Sequence, residues 1–163
     1  VSNTSPLLNL AIIDRLDLVR DQFGEVFIPP AVLHELRADE DRPGSPALAA
    51  ALAGGWIKVA PLQNPVVAQV LWRTLDEGEA EAIALALEVG AERVLLDERD
   101  ARRAAKHLGL ATVGVLGILL RARFDGRISS LASELRRLRN EAGFRIGSEL
   151  EQTLLMEAGE VER

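Results

Sequence analysis

The chain contains no cysteine. A disulfide scaffold, a cysteine-ligated zinc site and a cysteine nucleophile are therefore excluded. Aromatic residues make up only 4% of the sequence, so the core has to be built from Ala, Leu, Val and Ile. The two histidines, His34 and His107, are far apart in the sequence. They flank different elements, which argues against a His-rich transition-metal site. No apolar run reaches membrane-spanning length and no signal-peptide pattern opens the chain. Together with the lack of cysteine this leads us to expect a cytoplasmic protein with no membrane contact. The first residue is Val1, with no initiator Met, which leaves open whether residues precede it.

What is present describes a folded domain. The 163 residues are 48% hydrophobic and 27% charged, the balance of a globular protein with a true core. The net charge of −6 argues against a protein that wraps nucleic acid over its whole surface. It is compatible with carboxylates gathered around cations and basic residues kept to one patch.

Short apolar runs with strand character alternate with helical patterns. The strand candidates are Val26–Ile28, Trp56–Val59, Val94–Leu96 and Thr112–Val113. Alternation of this kind predicts an α/β fold with a mainly parallel sheet covered on both faces. Ser5 before Pro6 predicts an N-cap followed by proline in the first helical turn. Pro29-Pro30 ends a strand and opens a helix from Ala31. Asp76 with Glu79 reads as a capping box ahead of a helix over Ala80–Val89, which Gly90 stops. Arg99–Leu108 is a second helix, closed by Gly109. A turn is expected over Pro43–Pro46, and a short helix over Ser148–Glu157. Gly114-Val115-Leu116-Gly117 lacks the lysine of a phosphate loop and the spacing of a dinucleotide fingerprint, so it is read as a strand-to-helix turn.

Open α/β sheets bind ligands outside the carboxyl ends of their strands. The polar residues expected there are Asn3, Thr4 and Ser5 before the first helix, and Asp97 and Asp100 after Val94-Leu95-Leu96. Glu35 and Glu81 lie on helices that could reach the same edge. Clustered carboxylates repel one another, and a hard divalent cation with oxygen ligands relieves that repulsion. Such a cation also activates water and stabilises a transferring phosphoryl group. Each acid has a plainer reading. Glu79 is taken as the capping-box partner of Asp76. Glu81, turned about 200° from Glu79 around the helix, has no such local duty and is preferred for the site, with solvent exposure as the alternative. Glu35 sits beside an expected buried stripe of Val32, Leu33 and Leu36, where a solvated glutamate is the common outcome. Asp97 is either a site acid or the N-cap of the next helix, and Asp100 is equally well explained as a first-turn acid.

Arg99, Arg102, Arg103 and Lys106 share one helix face at i, i+3, i+4 and i+7, with Ala101, Ala104, Ala105 and Leu108 expected on the inward face. The basic stripe either grips phosphates beside Asp97 or is a solvated surface. For Arg136, Arg137 and Arg139 the surface reading is preferred.

Four blocks carry a family resemblance: Ser2-Asn3-Thr4-Ser5-Pro6-Leu7; Ile28-Pro29 with Val32-Leu33-His34-Glu35-Leu36; Gly78-Glu79-Ala80-Glu81-Ala82-Ile83-Ala84-Leu85-Ala86; and Leu95-Leu96-Asp97-Glu98-Arg99-Asp100-Ala101-Arg102. In this order they resemble PIN-domain proteins, in a prokaryotic branch related to VapC-type toxin ribonucleases; Ala142-Gly143-Phe144-Arg145-Ile146 resembles the same branch. The resemblance implies a three-layer α/β/α fold with a central mainly parallel sheet, as a PIN-like domain over 1–141 and a helical tail over 142–163. It implies a metal-dependent endoribonuclease using Mg²⁺ or Mn²⁺, with RNA as substrate, an antitoxin as partner and a homodimeric assembly. The family's acids map onto Asn3, Glu35, Glu81 and the Asp97/Asp100 segment, without deciding which of Asp97 and Asp100 is the nearer ligand. Thr4 and Ser5 would support the site, and Arg99, Arg102, Arg103 and Lys106 would hold the RNA backbone. One residue departs from the pattern. The first strand ordinarily ends in Asp, and here stands Asn3, a neutral oxygen donor that binds a divalent cation more weakly. A binding module with weakened catalysis is therefore the rival expectation. A small-molecule α/β enzyme is disfavoured by the absence of a nucleotide fingerprint.

Overall fold

The computed structural model describes residues 1–161. The last two residues of the expected 142–163 tail, Glu162 and Arg163, lie outside the described residues. The opening segment is the middle of the sheet. Ser2 bridges Leu95 in parallel, and the Ser2 amide donates to the Phe27 carbonyl at 3.0 Å. On its other side Leu95 N–H donates to the Val1 carbonyl at 2.9 Å, and Asn3 N–H donates to the Leu95 carbonyl at 3.0 Å. These bonds join two parallel pairs. One pair is β1 (Val26–Ile28) with β2 (Ile57–Val59), the other β3 (Arg93–Leu95) with β4 (Ala111–Val113). The order across the sheet is β2, β1, residues 1–3, β3, β4. The expected strands fall within a residue or so of these bounds. Leu96 lies past the end of β3 yet still donates to the Val113 carbonyl at 2.9 Å.

Burial along the third strand reveals the layers. Leu95 joins the larger core cluster, while Val94 and Leu96 join a second one with Ile83, Ala86, Ala101 and Ala105. Successive side chains of a strand point to opposite faces, so the sheet is covered by helices on both sides. The second face is made by α6 (Glu77–Glu88) and α7 (Arg99–His107). The larger cluster is made chiefly by α1 (Thr4–Ile12), α2 (Asp17–Phe23), α3 (Pro30–Leu36), α4 (Ser45–Ala53), α8 (Val115–Phe124) and α9 (Leu131–Ala142). α5 (Val66–Leu71) packs against α6. This is the expected three-layer α/β/α arrangement. Its core is almost wholly aliphatic and includes Leu7, Leu10, Ile28, Ile83 and Ile118, as the low aromatic content requires.

The tail is seated on that core. α10 (Ser148–Glu157) spans the expected residues, and Leu154 and Ala158 are buried in the larger cluster. Glu160 then accepts hydrogen bonds from the amides of Leu131 and Ala132 at the start of α9, and from Arg123 and Ser130. Burial opposes its charge, but these donors outweigh burial and hold the Glu160 carboxyl below the usual range.

Several local expectations change. Ser5 is not the N-cap of α1. The helix starts at Thr4, the extended residue before it is Asn3, and Ser5 is in the first turn with its hydroxyl turned elsewhere. The segment after Pro43 is not only a turn, because Ser45 and Pro46 open α4. Leu33 is 36% exposed and leaves the buried stripe of α3 to Val32 and Leu36. Leu108 is 43% exposed, and Ala101 and Ala105 alone are buried on α7. The Asp76–Glu79 capping box is present as expected.

Candidate functional site

The carboxyl ends of the central strands bring Asn3, Glu35 and Asp97 to one corner. Residues 3–5 are the connectors. Thr4 Oγ1 donates to Glu35 Oε2. Ser5 Oγ donates to Asp97 Oδ2 at 2.9 Å and itself accepts from Asn9 Nδ2 at 3.0 Å. The first turn of α1 therefore hands one hydroxyl to each of two acids that are 62 residues apart in sequence. Thr4 and Ser5 can do this because neither hydroxyl is spent on capping α1, which has no side-chain cap bond.

Asp97 is not the cap of its own helix. Glu98 occupies the N-cap position of α7 and makes no side-chain cap bond. Asp97 Oδ1 instead accepts from the Val115 amide at 2.7 Å, at the start of α8. Burial pushes the Asp97 carboxyl up from its ordinary value; the Val115 amide, the Ser5 hydroxyl and the Arg102 charge pull against it. Gly114 makes room for this contact, since a Cβ there would lie 3.0 Å from Asp97 Oδ1. The Gly114–Gly117 segment is thus a strand-to-helix turn, as expected, and its first glycine admits the acid.

Asn3 is 4% exposed, and its side-chain oxygen Oδ1 has no hydrogen-bond partner among the described residues. It is the N-cap of α1 yet makes no side-chain cap bond. A buried acceptor without a donor is uncommon and calls for an explanation.

Glu79 and Glu81 of α6 both act as helix caps. Glu81 Oε2 accepts from the Ala31 amide at 3.2 Å, at the start of α3, where the N-cap is Pro29 and has no polar side chain to offer. Glu81 thus supplies a cap from another helix, a duty that local spacing does not reveal. Glu79 makes its capping box with Asp76 but is also 5% exposed. Its carboxyl is pushed up to about 7, chiefly by burial, then by the Asp76 charge against the pull of the Asp76 amide, and further by Glu98 and Glu35. A cap on a helix surface does not suffer this. Glu79 also feels the charge of Glu35, which the capping-box pattern does not reveal. The available signal was Gly78, where a Cβ would lie 2.6 Å from Glu35 Oε1 and 2.7 Å from Oε2. A glycine in the first turn of a helix marks a close approach from outside.

Asp100 is exposed in the first turn of α7 and makes no hydrogen bond among the described residues. Arg99, Arg102, Arg103 and Lys106 line one groove of about 470 Å³ together with Asp97 and His107. None of these four cations is in an ion pair among the described residues. By contrast Arg137 pairs with Glu134 and Glu141, and Arg139 with Glu151, in keeping with a surface role for that second cluster.

The donor set bears on a metal. Among the described residues no three acidic, histidine or cysteine side chains are gathered closely enough to form a ready-made metal cage. The oxygens at the corner are nevertheless those of a hard cation: two carboxylates held by hydroxyls, a third crowded by like charges, and an unpartnered amide oxygen. Mg²⁺ keeps several of its waters and commonly binds through one or two carboxylates plus substrate phosphates. The residues fit a cation held in that open manner.

No curated protein and no solved structure gives a match to the chain. The family model DUF3368, described as a PIN domain, matches residues 1–160, which takes in every residue of the corner and the basic groove. The α/β/α layers, the central opening strand and this match agree, and the chain belongs to the PIN-domain family.

Proposed function

We propose that the protein is a metal-dependent endoribonuclease of PIN type, hydrolysing RNA phosphodiester bonds with Mg²⁺ or Mn²⁺. The observation that carries the reading is the convergence of Asn3, Glu35 and Asp97, tied together by Thr4 and Ser5, beside a groove of unpaired cations. When bound, the cation supplies charge neutralisation and water activation. Glu35 and Asp97 would hold it together with substrate phosphates, with Asn3 Oδ1 as the neutral donor and Glu79 adding charge nearby. Glu81 serves by fixing the start of α3, the helix that carries Glu35, and Asp100 by extending the acidic rim. Arg99, Arg102, Arg103 and Lys106 would bind the phosphates on either side of the cleaved bond.

Purified protein incubated with mixed RNA and Mn²⁺ or Mg²⁺ tests this. Wild type is expected to cleave only with metal, and Asp97→Asn and Glu79→Gln to lose at least tenfold in rate. The enzymatic reading fails if wild type shows no metal-dependent cleavage and Asn3→Asp does not create it. Cleavage that appears only in Asn3→Asp would support the second reading, a nucleic-acid-binding PIN module with weakened catalysis. Asn3 is the observation that favours that reading, because a neutral oxygen replaces a charged ligand. The toxin role in a toxin–antitoxin pair, with a cytoplasmic setting and a homodimeric form, belongs to the same proposal. It is tested by sedimentation of the purified chain and by growth arrest on expression that a protein encoded beside it relieves.

A further inference from the structure

On the side of Asp97 away from the basic groove lies a second groove, of about 490 Å³, between the start of α8 and the tail. Its volume falls within the roughly 300–1,000 Å³ of small-molecule sites. It shares Asp97 and Arg102 with the basic groove, so the two are continuous across the acid. Its walls are apolar: Leu116 from α8, Phe144 from the α9–α10 connection and Leu150 from α10. Phe144 packs against the larger core cluster, which fixes one side of its ring, and Leu150 is 48% exposed. Two cations, Arg102 and Arg145, also line the groove. Arg145 is exposed and in no ion pair among the described residues. Thr112 also lines the groove, and its hydroxyl is buried without a partner.

An apolar slot with an aromatic wall, two cations and the Asp97 carboxylate in its lining matches one chemical object. That object is an unpaired nucleobase still joined to its phosphate. Bases of single strands stack on aromatic and apolar walls while Arg holds the backbone. A duplex keeps its bases stacked inside and has nothing to insert. An apolar peptide would leave Arg145 without a counter-charge.

We infer that this groove holds one unpaired base next to the scissile phosphate and gives the protein a base preference on single-stranded RNA. The inference rests on the RNA-cleaving reading above, and the test separates the two. Fluorescence anisotropy in EDTA would measure binding of labelled 12-nucleotide A, C and U homopolymers and a 12-base-pair duplex. The proteins compared are wild type, Phe144→Ala, Leu150→Glu and Arg103→Ala. Leu150→Glu is the fold-safe variant, since Leu150 is largely exposed. Wild type is expected to bind one homopolymer at least fivefold more tightly than the others, and all of them more tightly than duplex. Both groove variants should bring that spread below about twofold while still binding. Arg103→Ala should weaken all homopolymers alike and keep the spread. An unchanged spread in Leu150→Glu, or no spread in wild type that binds RNA, overturns the inference and leaves the nuclease reading standing. No binding of any RNA by wild type in EDTA overturns the inference, and the nuclease reading then stands or falls on the metal-dependent cleavage assay above.

Discussion

At the scale of single residues, the corner holds more negative charge than its surroundings tolerate, and Glu79 registers the excess. Its carboxyl is pushed from the ordinary 4.5 to about 7, first by burial and then by its acidic neighbours. Between those two values the unfolded chain has released a proton that the folded chain retains. The stabilising effect is therefore complete below about pH 4.5 and lost as the pH rises through about 7. Glu79→Gln retains a residue that can complete a capping box and removes the charge. In EDTA it should be more stable than wild type at pH 8, by about 1–3 kcal/mol, with the gap closing toward pH 4.5. Urea denaturation at both pH values checks this; an equal gap at both would show that the charge carries no penalty. Gly78 offers a second test. Gly78→Ala should leave stability within about 1 kcal/mol, because alanine favours the helix. Its methyl would meet the Glu35 carboxylate, and metal-dependent cleavage should fall at least tenfold. Full activity in this variant would show that the close approach of Glu35 to α6 has no part in the reaction.

At the scale of elements, two helix starts are capped from elsewhere in the chain. α3 opens on two prolines, with its Ala31 amide held by Glu81 of α6. α9 opens with its amides held by Glu160, beyond α10. Losing a cap costs about 1 kcal/mol, and both should show it, with different consequences. Glu81→Ala should lower the unfolding midpoint and slow cleavage by loosening α3. Glu81→Gln, which keeps an acceptor oxygen, should restore most of both. A Glu81→Gln variant as inactive as Asp97→Asn would place Glu81 among the metal ligands instead. Glu160→Ala should destabilise by a similar amount and leave cleavage per folded molecule unchanged, since Glu160 contacts no residue of the corner.

At the scale of the whole molecule, a net charge of −6 and the proposed RNA substrate are reconciled by segregation. The free cations of α7 face one groove, while Arg15, Arg121, Arg123, Arg127, Arg137 and Arg139 are each paired with carboxylates. RNA binding should therefore be strongly salt-dependent but bounded. Four phosphate contacts on a single strand give a log–log slope of about −3. A titration from low to moderate salt would measure it, and Arg99→Ala with Arg103→Ala should reduce the slope by about half. A slope near zero would mean that the groove does not meet the backbone.

The layered fold could be read from the residues alone, because it rests on local patterns: apolar runs of strand length alternating with helical periods, a capping box at Asp76 and glycine stops. The Asp97 segment and the polar Asn3-Thr4-Ser5 turn could be placed at the sheet edge for the same reason. What needed the folded chain was every contact between acids far apart in sequence. Glu79 and Glu81 look alike as neighbours on one helix, and spacing favoured Glu81 for the site. Which of them caps α3 and which feels the charge of Glu35 depends on where α3 lies against α6. Likewise Ser5 reads as a cap until the sheet brings Asp97 within hydrogen-bond distance, and Asp97 reads as a cap until α8 presents the Val115 amide. A capping box is a bond between near neighbours in sequence, so local pattern can propose it. A carboxylate's shifted charge is the sum of neighbours from several elements, and that sum exists only once the layers have packed.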